Sequence, residues 1–253
     1  MPFLGLGIHV ILALLCAIHA VRTRQEMYWL FILFMFPLLG SLVYLFAIYL
    51  PHSRLERGAL QAVSAAVKAV DPNREVREAR ARFTEAPTAQ NRMRLAEALL
   101  EQGHATEAAD EYQQCLTGPF ASDLEIRFGA AHAMTECQRY EEAIPHLEEI
   151  RAEEPKFRAE AVSILLARCY GGTSRAAKAR DEFDSALQKF GSFGAKAEYA
   201  IWLYSQGDLE PADKLFGDLE AIQKRWNSAS RRLNEPVAHR LRAARELAKR
   251  QGE

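Results

Sequence analysis

Gln102-Gly-His-Ala-Thr-Glu-Ala108, Gln138-Arg-Tyr-Glu-Glu-Ala143 and Gln206-Gly-Asp-Leu-Glu-Pro-Ala212 are variants of one segment. Their closing alanines, together with Ala179, recur at intervals of 35, 36 and 33 residues. Four residues after each stands a large apolar side chain: Tyr112, Leu147, Phe183 and Phe216. Seven after each come Cys115, Ile150, Ala186 and Leu219, and twelve before each come Ala96, Ala131, Ala167 and Ala200. Positions separated by four and seven share one face of a helix, and the earlier alanine belongs to a preceding helix. A period of roughly 34 residues built this way describes pairs of antiparallel helices. Small residues mark where the two backbones approach, and no pair buries its apolar face without its neighbours.

This arrangement resembles the tetratricopeptide repeat over residues 89–222, in about four copies. The chain departs from the family pattern in two ways. Arg92, Arg127 and Lys196 stand where the family has its first large residue, and the third copy has Thr-Ser after Gly171-Gly172 in place of a turn glycine. The resemblance implies partner binding on the concave face, lined by the first helix of each repeat. Carried over, those positions are Met93, Arg94 and Glu97, then Phe128, His132 and Thr135, then Leu165 and Arg168, then Glu198, Ile201 and Tyr204. Phe128 and Tyr204 are the expected anchors. The basic and Asn set with which some relatives clamp a terminal carboxylate is absent.

Outward from the repeats, residues 51–88 read as a helical connector or degenerate repeat. One helix is expected over Leu55–Val70, and Asp71-Pro72-Asn73 stops it and starts another. The second runs to Phe83 or Thr84, with Ala79 and Phe83 mimicking the small and large pair. Residues 223–253 form a basic capping helix, expected to start at Asn234-Glu-Pro236, with Val237, Leu241, Ala244 and Ala248 as its apolar stripe. Arg240, Arg242, Arg245, Lys249 and Arg250 either meet anionic lipid or nucleic acid, or form the solvated face of the cap. The cap reading is favoured, and no aromatic interleaving supports nucleic acid.

Residues 1–50 hold two uncharged apolar runs, 4–21 and 28–50, separated by Arg22-Thr-Arg-Gln-Glu-Met27. At ~1.5 Å per residue both match a hydrocarbon core of about 30 Å, so a two-helix transmembrane hairpin is expected. The Met1-Pro-Phe start lacks the basic residues of a signal peptide. Flanking arginines leave the orientation a near tie. Trp29 before an apolar run, then Pro37-Leu-Leu-Gly40 and Tyr44, resembles the two-helix N-terminal module of the phospholipase D and cardiolipin synthase family. That resemblance implies a two-pass anchor in the inner membrane with the following domain cytoplasmic. No histidine is followed two residues later by lysine, so the family's His-x-Lys phosphodiesterase motif is missing.

Net charge over the 253 residues is −1, but it is unevenly placed. Residues 224–253 carry +6 and residues 51–223 carry −8. The cysteines, Cys16, Cys115, Cys137 and Cys169, form no C-x-x-C pair and read as small buried hydrophobes. Pairs such as Glu141-Glu142, Glu148-Glu149 and Glu153-Glu154 read as solvated helix faces. No phosphate-binding loop, zinc motif or nucleophile elbow occurs, so neither catalysis, a cofactor nor a metal is expected. The expected protein is all-α: a membrane-anchored scaffold for protein partners, the acidic body favouring a partner with a basic segment. The alternative is an accessory subunit of a lipid-modifying enzyme.

Overall fold

The computed structural model describes residues 3–23, 26, 28–44, 71, 73–117 and 119–252. Its regular structure among these residues is helical throughout. The chain divides into two compact units, Met1–Pro72 and Asn73–Glu253.

The first unit contains α1 (Phe3–Arg22), α2 (Tyr28–Met35) and α3 (Pro37–Tyr44). The second apolar run is broken at Phe36. Pro37 has no N–H to continue the helical ladder, and α3 folds back so closely that a Cβ on Gly40 would lie 2.7 Å from the Ile32 carbonyl oxygen. Gly40 therefore serves the approach of α3 to α2. Trp29, Leu33 and Tyr44 pack with Cys16 and Ala20 of α1, and Tyr44 Oη hydrogen-bonds His19 Nδ1 at 3.0 Å. Eight residues of helix span ~12 Å, far short of a bilayer core. Among the described residues no helix is long and apolar enough to cross a membrane. This overturns the expected two-pass placement in the inner membrane, and with it the cytoplasmic side. An apolar run of the right length does not specify a span when a proline divides it. Residues 45–50, and the helix expected over Leu55–Val70, lie outside the described residues.

The second unit begins with α4 (Arg74–Glu85). Four helix pairs follow: α5 (Ala89–Glu101) with α6 (Ala105–Cys115), α7 (Leu124–Glu136) with α8 (Tyr140–Glu153), α9 (Ala159–Gly172) with α10 (Ala176–Phe190), and α11 (Phe193–Gln206) with α12 (Leu209–Gln223). The long α13 (Ser228–Gly252) closes the stack against α11. All sixteen positions of the repeat pattern are buried, and all but Ala186 belong to one core together with Ala79 and Leu241.

The pairs share one turn. Gly103, Gln138, Ser174 and Gly207 all adopt positive φ, at 82°, 64°, 59° and 78°. The following N–H of each donates back five residues: His104 to Leu99 O, Arg139 to Met134 O, Arg175 to Tyr170 O and Asp208 to Leu203 O, all at 2.8–3.0 Å. This is the helix-ending motif that satisfies otherwise orphaned carbonyls. Gly171 and Gly172 are not part of that turn. They are the last residues of α9, where a Cβ would meet the Trp202 ring at 2.6 Å and the Tyr140 ring at 2.2 Å respectively. Ser174 takes the turn glycine's place.

The unusual arginines also have a structural use. Arg127 is buried and donates to Glu153 at 2.9 Å and to the Ala121 carbonyl at 3.2 Å. Arg92 lies 4.5 Å over the Phe83 ring and bonds Glu111 at 2.9 Å. Their stems fill the large-residue slot while their heads are paired. The glutamate pairs are likewise not merely solvated. Glu141 meets Arg175 at 2.8 Å, Glu142 meets Arg139 at 2.5 Å, and Tyr170 Oη donates to Glu148 at 2.7 Å. Finally, α13 starts before Asn234. The Asn227 side chain accepts from Ser230 N at 2.8 Å, whereas Asn234 donates back to Ser230 O at 2.9 Å from inside the helix. Two asparagines stand near the start, and the earlier one caps.

Candidate functional site

In the second unit the first helices of successive repeats, α5, α7, α9 and α11, approach one another more closely than the second helices do. They therefore line the inner side of the curve. This surface has two halves of different character.

From α7 to α13 it is an ion-pair ladder. His132 Nε2 lies 3.7 Å from Glu136, one helical turn on. Glu136 accepts from Arg168 of α9 at 2.7 Å, and Arg168 reaches Glu198 of α11 at 4.0 Å. Glu198 is buried and also accepts from Arg240 of α13. Burying that carboxylate is tolerable because two guanidinium groups meet it. The His132 imidazole and the Arg168 guanidinium hold the Glu136 carboxyl down at about 2. A second link joins the cap to the last repeat: Asp213 accepts from Tyr204 Oη at 2.7 Å and from Arg245 at 3.0 Å, and Arg245 stacks 4.0 Å from the Phe216 ring. Two of the cap's basic residues thus answer acidic residues of the body.

Between α5 and α7 the surface opens into a groove of about 400 Å³. Glu97 and Glu101 stand on one side, Phe128 and His132 on the other, and Tyr112 comes up from α6. The Tyr112 ring passes under Gly129, where a Cβ would lie 2.4 Å from its Cζ and 2.8 Å from its Oη. At the rim Arg158 stacks 4.8 Å over Phe128 and bonds Glu125 at 2.7 Å.

The residues expected to bind a partner are distributed as follows. Arg94 and Glu97 are exposed, and among the described residues neither enters an ion pair. Met93 and Ile201 are partly buried against the core. His132, Arg168 and Glu198 belong to the ladder. Phe128 and Tyr204 are only 8% and 3% exposed, so the two expected anchors are packed side chains. Thr135 and Leu165 are buried too, and Thr135 Oγ1 lies 3.2 Å from Cys169 Sγ. Sequence reading missed Glu101, Tyr112, Glu125 and Arg158 in the groove, and Glu136 and Arg240 in the ladder. Glu101 and Glu136 left a local signal, each four residues after a residue already placed on this face, Glu97 and His132. Glu125 opens α7, and Tyr112, Arg158 and Arg240 come from a second helix, a loop and the cap.

Residues 99–169 match the family described as tetratricopeptide repeat. Among solved structures, the chain is similar to MamA 41-end from Desulfovibrio magneticus RS-1, with 14% identity and a TM-score of 0.51 over 70% of this chain and 99% of that one. It is also similar to a MamA RS-1 ArsTM double mutant, with 14% identity and a TM-score of 0.50 over 68% of this chain and 96% of that one. No curated protein matches the chain. At this identity the likeness establishes the fold alone: an all-α solenoid of tetratricopeptide type. The resemblance of residues 4–50 to the phospholipase D module gains no support, and the accessory-subunit alternative rested on it.

Proposed function

We propose that the protein is a non-catalytic scaffold that recruits a protein partner along the inner surface of its solenoid, at the end formed by the first two repeats. The supporting observation is the contrast between the two halves of that surface. From His132 to Arg240 the charged groups are engaged with one another. Around Arg94 and Glu97 they are exposed and outside any ion pair among the described residues. A partner gains from charges that have no internal competitor, and it displaces paired ones only by breaking the pairs. The acidic balance of residues 51–223 favours a partner with a basic segment.

The reading is tested by co-purification of partners with the parent chain, with Glu97→Lys and with Asp218→Lys. Asp218 is an exposed residue of α12, a second helix. The expected result is loss of a partner with Glu97→Lys and its retention with Asp218→Lys. Retention with Glu97→Lys and loss with Asp218→Lys would move the binding surface to the outer face.

A further inference from the structure

We propose that the groove between α5 and α7 is a socket for one arginine or lysine side chain of the partner, held between the Glu97 carboxylate and the Tyr112 hydroxyl. This deepens the reading of the inner surface as the partner-binding face and rests on it.

Three observations carry the proposal. The first is Tyr112. It is 4% exposed, and among the described residues its hydroxyl has no hydrogen-bond partner. The ring is packed, but the hydroxyl oxygen stays in reach of solvent at the groove, with its acceptor capacity unused. Its ring end lies against Gly129 and lines the groove, so a partner side chain entering the groove can reach it. The second is the sign of the field there. Glu97 faces this hydroxyl, and burial followed by that carboxylate pushes the Tyr112 proton affinity up. The hydroxyl remains neutral, with its oxygen lone pairs free to accept. The nearest cation at the rim, Arg158, is already spent on Glu125. An anion would meet the Glu97 carboxylate, and a neutral side chain would leave it unanswered.

The third observation is size and lining. About 400 Å³ with Leu100 and Phe128 on its walls suits a long aliphatic stem that ends in a cation, more than it suits a bare metal ion. The protein demonstrates the compatibility itself: Arg158 lays its guanidinium 4.8 Å over the Phe128 ring at the same rim. An incoming cation would donate to Glu97 and to Tyr112 Oη while its methylenes cover Leu100. Glu97 lies outside every ion pair among the described residues, so no internal bond is broken on entry.

The test uses the full chain, labelled for amide NMR, with N-acetyl-arginine amide and N-acetyl-lysine amide as probes. N-acetyl-citrulline amide serves as the uncharged isostere of the first. The expected result is saturable shifts at Glu97, Tyr112 and Gly129 with both cations, and binding weakened roughly fivefold or more for citrulline. Glu97→Gln should weaken the arginine probe by a similar factor with an unchanged melting curve. Tyr112→Phe, which keeps the ring and removes only the oxygen, should also weaken it, and Glu97→Gln alone carries the test if that variant does not fold. Shifts that do not saturate, equal binding of citrulline, or undiminished binding to Glu97→Gln would overturn the socket. Failure here with the Glu97→Lys co-purification result intact removes only the cation socket. Failure of the co-purification removes the inner-face reading beneath it.

Discussion

Gly129 and Tyr112 form a lock in which the side-chain absence matters as much as the ring. A Cβ at residue 129 would stand 2.4 Å from Tyr112 Cζ, a distance no relaxed contact tolerates. Gly129→Ala is therefore expected to destabilise the second unit by ~1–3 kcal/mol, the usual cost of overpacking. Gly217 provides the control: it sits in α12 with nothing within 4 Å of a built Cβ. Gly217→Ala should stabilise by about 0.5–1 kcal/mol from helix propensity. Urea denaturation of the two variants reads both, and the same sign for both would refute the packing at Gly129. The sequence displays this lock poorly, since a glycine inside a helix looks like a weak helix former. Only the ring arriving from the preceding helix explains it.

At the scale of elements, the helix pairs were legible because their determinants are local. Ala96 and Ala108 with Tyr112 carry the register in spacing alone, and every equivalent is buried. The turn was less legible, because Gln138 and Ser174 adopt the left-handed backbone that Gly103 and Gly207 adopt at no steric cost. Left-handed backbone costs an ordinary residue ~1–2 kcal/mol, and glycine returns part of that in unfolded-chain entropy. Ser174→Gly should therefore raise stability by about 0.5 kcal/mol in thermal or urea melts. A loss would mean that the serine contributes something the turn geometry does not show.

Beyond His132 with Glu136 the ladder was illegible, because its partners lie about one repeat apart and a sequence does not say which acid meets which arginine. It has a pH signature. Glu136 titrates near 2 in the folded protein, below its ordinary value of 4.5. A depressed carboxyl contributes stability above its unfolded pKa and loses it as pH falls through the folded one. Glu136→Gln should thus cost about 1 kcal/mol above pH 5, a figure reduced for partial exposure. The difference from the parent should shrink below pH 4.5 and vanish near pH 2. A difference independent of pH would show that the glutamine disturbs packing and that the ion pairs are not the cause.

For the whole molecule, the two units show the reach of pattern reading from opposite sides. Repetition over four copies fixed the solenoid. Hydrophobic length alone did not fix the fate of residues 28–44, where Pro37 and Gly40 turn one apolar run into two short packed helices. The candidate site was legible as a surface and not as a set of contacts. Glu97 and Arg94 were placed on it, yet Phe128 and Tyr204 spend their rings on packing and on Asp213.

Site-specific cross-linking tests most directly whether a partner sits on the inner surface of the first repeat. A photoreactive phenylalanine derivative is placed at position 94 or 97 on α5, and at position 106 on α6 or 218 on α12. One shared partner adduct is expected from positions 94 and 97 and none from 106 or 218. Adducts from 106 and 218, with none from 94 and 97, would contradict it.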